Sequence, residues 1–326
     1  MGVGRRLSGR TPVGLPADRH RPAPPNVKLP AAENRKVGYP IGLRIILTTL
    51  FLVCLAAGAA GNPDPRDTVT SEIDWGTGTM LVTIERSLNA AGATGPAAVS
   101  RTQRAIRRDA AQILFDVLLD VRLDSLHTVG SLIGEREDLV FRLERAAGSA
   151  TPIDASATRD LSAARVTFSV DLHRGLARQF VFHSRAASIE SRLGWIAHTD
   201  YTGILIHAAG ELPLFGTNTT ARLEPALFPA VHYLRGPENL LYRLATAEHM
   251  DPDLLGSKGA AAYTNDPQAA GHADRVGTRP LRILAAGTFG TAATDIVITE
   301  QDALQIMASA HNRSLLRDGK LVIVID

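Results

Sequence analysis

The chain is poor in cysteine and in aromatic residues. It has one cysteine, Cys54, among 326 residues, and aromatic residues make up 5% of it. A lone cysteine excludes an intramolecular disulfide and any zinc site built from several cysteines. The bulky residues before it, Phe51–Val53, also disfavour lipidation. Cys54 lies in the apolar run Ile45–Gly61, so cleavage after that run would leave a chain with no thiol chemistry.

Motifs that carry chemistry are missing as well. There is no Gly-x-Ser-x-Gly elbow, and Gly76-Thr77-Gly78 lacks the lysine of a phosphate loop, so a turn is favoured there. The ten histidines include no His-x-x-x-His pair. His249, Asp251 and Asp253 form the best metal candidate, but Pro252 between them favours a turn. We therefore predict no catalytic, cofactor-binding or metal-binding residues.

The run Ile45–Gly61 is typical of a secretory signal. Arg44 precedes it, the apolar core ends at Leu55, and small residues follow, as signal peptidase requires. Two other interpretations stay open, an uncleaved membrane anchor and a buried helix. A spanning helix needs about 20 apolar residues, and this run is shorter and contains threonine and glycine.

Residues 1–44 differ in charge from the rest of the chain. They hold nine of the 35 Lys and Arg residues but two of the 33 Asp and Glu residues, together with seven of the 18 prolines. We predict either a disordered basic leader or a wrongly assigned start. The remaining chain is mildly acidic, so a nucleic-acid partner has no electrostatic support.

The first half of the exported part predicts an α+β domain over residues 73–182. Alternating apolar residues indicate strands over 73–86 and 166–172. Helical periodicity predicts a helix over 100–126 and a second over 131–147. The order strand, helix, helix, strand predicts a small sheet with two helices packed on one face.

Residues 183–326 predict a strand-rich α/β domain. One short helix is expected at 300–310, capped by Thr299, and a long loop region is expected over 245–279. The final apolar run, 321–325, indicates a strand buried on both faces. The other predicted strands are 203–208, 231–234, 281–285 and 295–299.

Two further groups of side chains invite interpretation. Four exposed-looking arginines near the start of the first helix oppose its dipole, and a solvated face is favoured over a partner site. Tyr201 and Tyr263 are expected to be core aromatics with a hydrogen-bonded hydroxyl. The four arginines near the start of the first helix are Arg101, Arg104, Arg107 and Arg108.

Two blocks of the second half carry a family resemblance. One is Thr199–Ile206 with Leu223–Pro229, and the other is Thr294–Thr299 leading to Gly319–Asp326. They resemble the C-terminal part of bacterial envelope proteins of the lipoprotein-20 family and the flagellar proteins FlgP and FlgT. The resemblance implies an exported protein with no established catalytic residues. His207 stands where that family often has an acidic residue.

These observations predict a non-enzymatic structural or assembly protein of the cell envelope, periplasmic or associated with the outer membrane. The resemblance implies a place near the periplasmic part of the flagellar motor. The expected partners are a second copy of the chain and envelope or flagellar proteins, with membrane contact through residues 45–61 if they are uncleaved. One alternative is a periplasmic module that binds a small ligand or a glycan, and another is a hydrolase with an unrecognised site.

Overall fold

The computed structural model describes residues 67–88, 95–191 and 197–326. The predictions for residues 1–44 and for the run 45–61 lie outside these residues. The strands are β1 Asp67–Asp74, β2 Thr79–Ser87, β3 Thr151–Ala157, β4 Ala163–Asp171, β5 Ile204–His207, β6 Leu212–Pro213, β7 Thr220–Ala221, β8 Val231–Arg235, β9 Leu240–Ala245, β10 Ala262–Thr264, β11 Leu281–Leu284, β12 Gly287–Phe289, β13 Asp295–Ile298 and β14 Leu321–Val324. The α-helices are α1 Pro96–Leu118, α2 Val129–Glu135, α3 Val140–Gly148, α4 Pro252–Lys258, α5 Ala273–Val276, α6 Glu300–Met307 and α7 Ala310–Arg317.

The N-terminal domain is an antiparallel sheet with helices on one face. Its strand order is β1-β2-β4-β3. Alternate residues of β2 and β4, such as Val82, Val166 and Phe168, are buried in a core shared with α1 and α3. The predicted α+β class is thereby confirmed.

The predicted strand 73–86 is two strands rather than one. β1 and β2 form a hairpin, and residues 75–78 turn between them. The Asp74 carboxylate accepts hydrogen bonds from the backbone N–H groups of Gly76 (2.9 Å) and Thr77 (3.2 Å). The turn interpretation of Gly76-Thr77-Gly78 is therefore confirmed.

Helix α1 begins and ends earlier than the predicted range 100–126. Pro96 opens it, a position where the missing N–H costs nothing. After Leu118 the chain turns, and Asp124 accepts bonds from the N–H groups of Leu126 (2.8 Å) and His127 (2.7 Å). A side chain that bonds its own backbone in this way competes with helix formation.

The predicted helix 131–147 is interrupted. α2 begins two residues before Ser131, because Thr128 and Ser131 form a reciprocal capping box. Arg136 leaves the helical conformation, with φ −139° and ψ 82°, and α3 follows after a short 3₁₀ turn. β3 was not predicted at all, because its first five residues are exposed and show no apolar alternation.

The second domain contains two four-stranded sheets and a small ribbon, β6–β7. One sheet, β10-β14-β5-β11, is fully parallel, and the other, β12-β13-β8-β9, is mixed. Ile206 and Ile323 of the parallel sheet share a core with Tyr233 and Ile296 of the mixed sheet. Both sheets therefore contribute to one buried layer.

The opposite face of the parallel sheet is also covered. Leu205, Val322 and Val324 pack there against Ala269 and Val276. All four residues of β14 are buried, which confirms that this strand is buried on both faces.

Two predictions for the second domain are wrong. The range 245–279 is not simply a loop, because it contains α4, β10 and α5. The expected single short helix is one of four in the described part of 183–326. The helix predicted over 300–310 is broken at Ser309, whose hydroxyl accepts from the N–H of Asn312 and caps α7.

Candidate functional site

A cleft of about 450 Å³ opens between the two domains. We call it the interdomain cleft. The N-terminal domain contributes the loop 123–127, Leu132 and the segment 180–182, and the second domain contributes His183 and the opposite wall. That wall is formed by Phe228, Ala230, Arg243, Thr246, Ala247, Glu248, Leu255 and Asp295.

Asp295 lies on the wall of the cleft and is 5% exposed. Its carboxylate accepts a hydrogen bond from the Ser125 hydroxyl at 2.9 Å and faces His232 Nε2 at 3.2 Å. The backbone N–H of Ala230 (3.1 Å) and the Thr294 hydroxyl (3.4 Å) also donate to it. A buried carboxylate with four donors is fully satisfied, and here it bonds across the domain junction.

The cleft also contains a second histidine–carboxylate pair. His127 Nδ1 lies 3.1 Å from Asp124 Oδ1, and His127 Nε2 lies 3.8 Å from Glu135. The same Asp124 oxygen holds the backbone turn described above. Asp124 is therefore occupied by groups of its own loop.

Aromatic residues give the cleft its apolar surface. Phe180 is buried, whereas Phe182 is 51% exposed. The guanidinium groups of Arg136 and Arg142 lie 4.9 and 5.3 Å from the centre of the Phe182 ring. Cations over an aromatic face stabilise its position, so Phe182 is held at the edge of the cleft.

The domains are also in direct contact at residues that do not line the cleft. The rings of Trp75 and Tyr263 meet edge to face, with centroids 5.8 Å apart. The Tyr263 hydroxyl donates to the carbonyl of Ala226 (2.9 Å) and accepts from its N–H (3.1 Å). Burial raises the pKa of Tyr263 well above its ordinary value. Tyr263 is thus the buried aromatic with a bonded hydroxyl that was predicted, while Tyr201 is half-buried against the second core.

His173 forms a further contact across the junction. Its imidazole fills the space that a Cβ atom would need at Gly78 of the N-terminal domain and at Gly259 of the second domain. Both glycines have positive φ, +68° and +74°. Burial, together with the nearby charge of Arg275, lowers the pKa of His173. Its buried surroundings therefore favour the neutral form of the imidazole.

Arg275 supports the same junction from the second domain. Its guanidinium donates to the carbonyl oxygens of Gly319 (2.7 Å), Lys258 (2.8 Å) and Gly259 (2.8 Å). Burial lowers its pKa to about 10, so it stays charged at neutral pH. It orders the backbone against which His173 packs.

The structure does not bring the predicted metal candidate together. The Asp251 carboxylate caps α4 by accepting from the N–H groups of Asp253 and Leu254. His249 Nδ1 instead accepts from the N–H of Thr246 at 3.1 Å. Across the described residues, no three His, Cys, Asp or Glu side chains are arranged to hold a metal ion. The turn interpretation fits these contacts.

The four arginines of α1 are exposed, as a solvated face requires. Arg104 donates to the carbonyl of Ser100 (3.3 Å), and Arg108 lies 3.1 Å from Asp109. None of the four lines the interdomain cleft. The helices of the described residues include none that is both long and apolar enough to cross a membrane.

The residues of the cleft were not found from the sequence. Asp124 and His127 share one loop, but Arg243 on β9 and Asp295 at the start of β13 are far from that loop and from each other along the chain. The sequence offers two weak indications of these residues. Asp124 is a residue type that is common in turns, and Asp295 stands at the start of a predicted strand. Tertiary contacts between the domains bring them together.

Two family models match the chain. Residues 67–179 match the model described as the N-terminal domain of Treponema pallidum Tp0624, and residues 203–326 match the one described as its second domain. The two halves are thus similar, in the same order, to two domains of one Treponema pallidum protein. A comparison with curated proteins found no match. Neither description mentions lipoprotein-20, FlgP or FlgT, so that resemblance stays a prediction.

Proposed function

We propose that this chain is an exported structural or assembly protein of the bacterial cell envelope that acts without catalysis. The observation that supports this most is the packed domain junction. Ser125 and Asp295 bond across it from buried positions, and Trp75 contacts the cores of both domains. A building block of a larger assembly needs such a fixed arrangement of its parts, whereas an enzyme that closes on a substrate needs a movable one.

Open sheet edges supply a means of assembly. β3 is an edge strand of the N-terminal sheet, and its first five residues are exposed. The Ile153 side chain on it is 56% exposed. Unpaired backbone groups at such an edge can pair with a strand of another molecule. The proposed partners are a second copy of the chain and envelope proteins.

Cross-linking in cells tests this proposal. Ile153→Cys should give cross-linked species in the periplasmic or outer-membrane fraction of cells treated with a thiol cross-linker. Arg159→Cys, in the exposed turn after β3, provides a control at a site outside the strand. The proposal fails if the protein stays in the cytoplasm, or if it is monomeric at high concentration and Ile153→Cys gives no cross-link.

The flagellar expectation is tested separately. A strain that lacks the gene should lose motility if the protein contributes to the motor. Normal motility would remove the flagellar role and leave the envelope role in place.

The interdomain cleft favours a second candidate function, a module that binds a small ligand or glycan. Its volume lies within the roughly 300–1,000 Å³ of small-molecule sites, and it combines aromatic and charged side chains. Ligand-observed NMR with panels of peptides, oligosaccharides and metabolites tests this function. If no class binds at millimolar concentration, the candidate fails.

A further inference from the structure

The charged side chains of the interdomain cleft differ in whether they already have partners. Asp295 is bonded by four donors, and Asp124 is bonded by His127 and two backbone N–H groups. The ring of His183 bonds the carbonyl of Met250 at 2.9 Å. These groups are committed to the fold and are not available to a ligand.

Two opposite charges in the cleft are not committed. Among the described residues, no hydrogen bond or ion pair reaches the guanidinium of Arg243 or the carboxylate of Glu248. Arg243 lies on β9, and Glu248 lies in the 3₁₀ turn that follows it, Ala247–His249. Both line the cleft and both are exposed. The same wall therefore offers one cation and one anion to whatever enters.

Apolar side chains line the same cleft as these two charges. Leu126 is 66% exposed, Phe182 is 51% exposed, and Phe228 is half-buried. Apolar surface in a cleft is covered by apolar groups of a ligand, because contact with water is unfavourable. The lining therefore fits a ligand that carries an apolar group together with one negative and one positive charge.

We infer that the interdomain cleft binds a short peptide with free ends and an apolar side chain. Its carboxylate pairs with Arg243, which can hold it in bidentate geometry, and its ammonium group pairs with Glu248. The apolar side chain contacts Phe182 and Phe228. This inference rests on the second candidate function, and it names the ligand class of the same cleft.

Peptides with blocked and with free ends separate the contribution of the terminal charges to binding from that of the apolar side chain. The probe is a pool of tripeptides with a central leucine or phenylalanine, added to the full-length protein and detected by saturation-transfer NMR. We expect the free pool to bind, and C-terminal amidation or N-terminal acetylation each to weaken it by about tenfold or more. Equal binding of free and blocked pools, or no binding at several millimolar, would overturn the inference.

Charge-neutral variants then assign the two contacts. Arg243→Gln should weaken binding of the free peptide about tenfold and leave binding of the amidated peptide unchanged. Glu248→Gln should weaken binding of the free peptide about tenfold and leave binding of the acetylated peptide unchanged. Arg159→Gln and Glu144→Gln, exposed and outside the cleft, should change neither. If Arg243→Gln affects free and amidated peptides alike, the proposed pairing is wrong.

A glycan control distinguishes this inference from the broader function. If a neutral oligosaccharide such as chitotriose binds in the cleft and the peptides do not, the peptide inference fails and the binding function stands. If neither binds, the peptide inference fails, and the remaining oligosaccharides and metabolites of the panel decide whether the binding function stands.

Discussion

The two domains bury their strands in different ways. In β4 of the N-terminal sheet, buried and accessible residues alternate, because helices cover one face of that sheet. In β5 of the second domain, neighbouring residues Leu205 and Ile206 are both fully buried, in different clusters on opposite faces. The comparison shows how the spacing of apolar residues along a strand depends on the faces that are covered. A strand covered on one face alternates apolar and polar residues, and a strand covered on both faces is apolar throughout.

Alanine substitutions at neighbouring positions test this difference most strongly. Leu205→Ala and Ile206→Ala should each lower the free energy of unfolding by about 2–5 kcal/mol, because each leaves a cavity in a core. In β4, Phe168→Ala should cost about 3–5 kcal/mol, whereas Ser169→Ala on the other face should stay within about 0.5 kcal/mol. Urea denaturation of the four variants measures this. If Leu205→Ala were as mild as Ser169→Ala, the second face of the parallel sheet would not be covered.

The next largest effect concerns the bond between the domains. Asp295→Ala should lower the free energy of unfolding by about 3 kcal/mol or more, because it leaves several buried donors without an acceptor, each costing about 1–3 kcal/mol. We also expect unfolding to separate into two transitions, seen by calorimetry, as the domains lose a shared buried contact. Asp318→Ala is the control, since that carboxylate is paired with the neighbouring Arg317 at 3.1 Å near the surface. A single transition with unchanged midpoint for Asp295→Ala would contradict its role at the junction.

A smaller effect is expected at the aromatic contact. Tyr263→Phe keeps the ring against Trp75 and removes the hydroxyl that serves both polar groups of Ala226. The cost should be about 1–3 kcal/mol, because those groups are buried. Tyr242→Phe, at a side chain that is 39% exposed, should be nearly neutral. Equal melting temperatures for the two variants would show that the Ala226 bonds contribute nothing.

The smallest effect is a dependence of stability on pH. Burial lowers the pKa values of His173 and His249 in the folded chain, so the unfolded chain binds protons more readily near its ordinary pKa of about 6.5. Their contribution is complete above about pH 6.5 and is lost as the pH falls below that value. The charges that face His173 are Arg275, which opposes its protonation, and Asp171, which favours it.

Replacing the histidine checks the assignment. His173→Gln should flatten part of the fall in thermal stability between pH 6.5 and 5, because it removes one of the two histidines whose pKa burial lowers. An identical profile for His173→Gln and the unaltered protein would contradict the contribution of His173.

Elements with a strong apolar pattern were predictable from the sequence. β14 and the middle of α1 are examples, because their burial follows from local periodicity. The missed elements depend on tertiary contacts. β3 has exposed residues and a proline, and it is a strand because β4 offers it backbone partners. The sequence pattern predicts one helix over α6 and α7. The structure has two helices, because the Ser309 hydroxyl caps the second.

The interdomain cleft could not be predicted, for a related reason. Some of its polar residues serve their own segments, as Asp124 does for the loop that follows α1, and others, such as Asp295, bond across the domain junction. Nothing in local sequence shows that Asp124 and Arg243 line one space. The packing of the two domains brings them close together, and the periodicity of apolar residues in the sequence does not predict that packing.

Trp75 gives the protein an internal optical reporter. The chain has two tryptophans, and Trp75 touches both cores and the Tyr263 ring. Replacing Trp195 with phenylalanine would make Trp75 the sole tryptophan emitter. Its emission would then shift to longer wavelength when the domains separate and water reaches the indole, so the state of the junction could be followed by fluorescence without any added label.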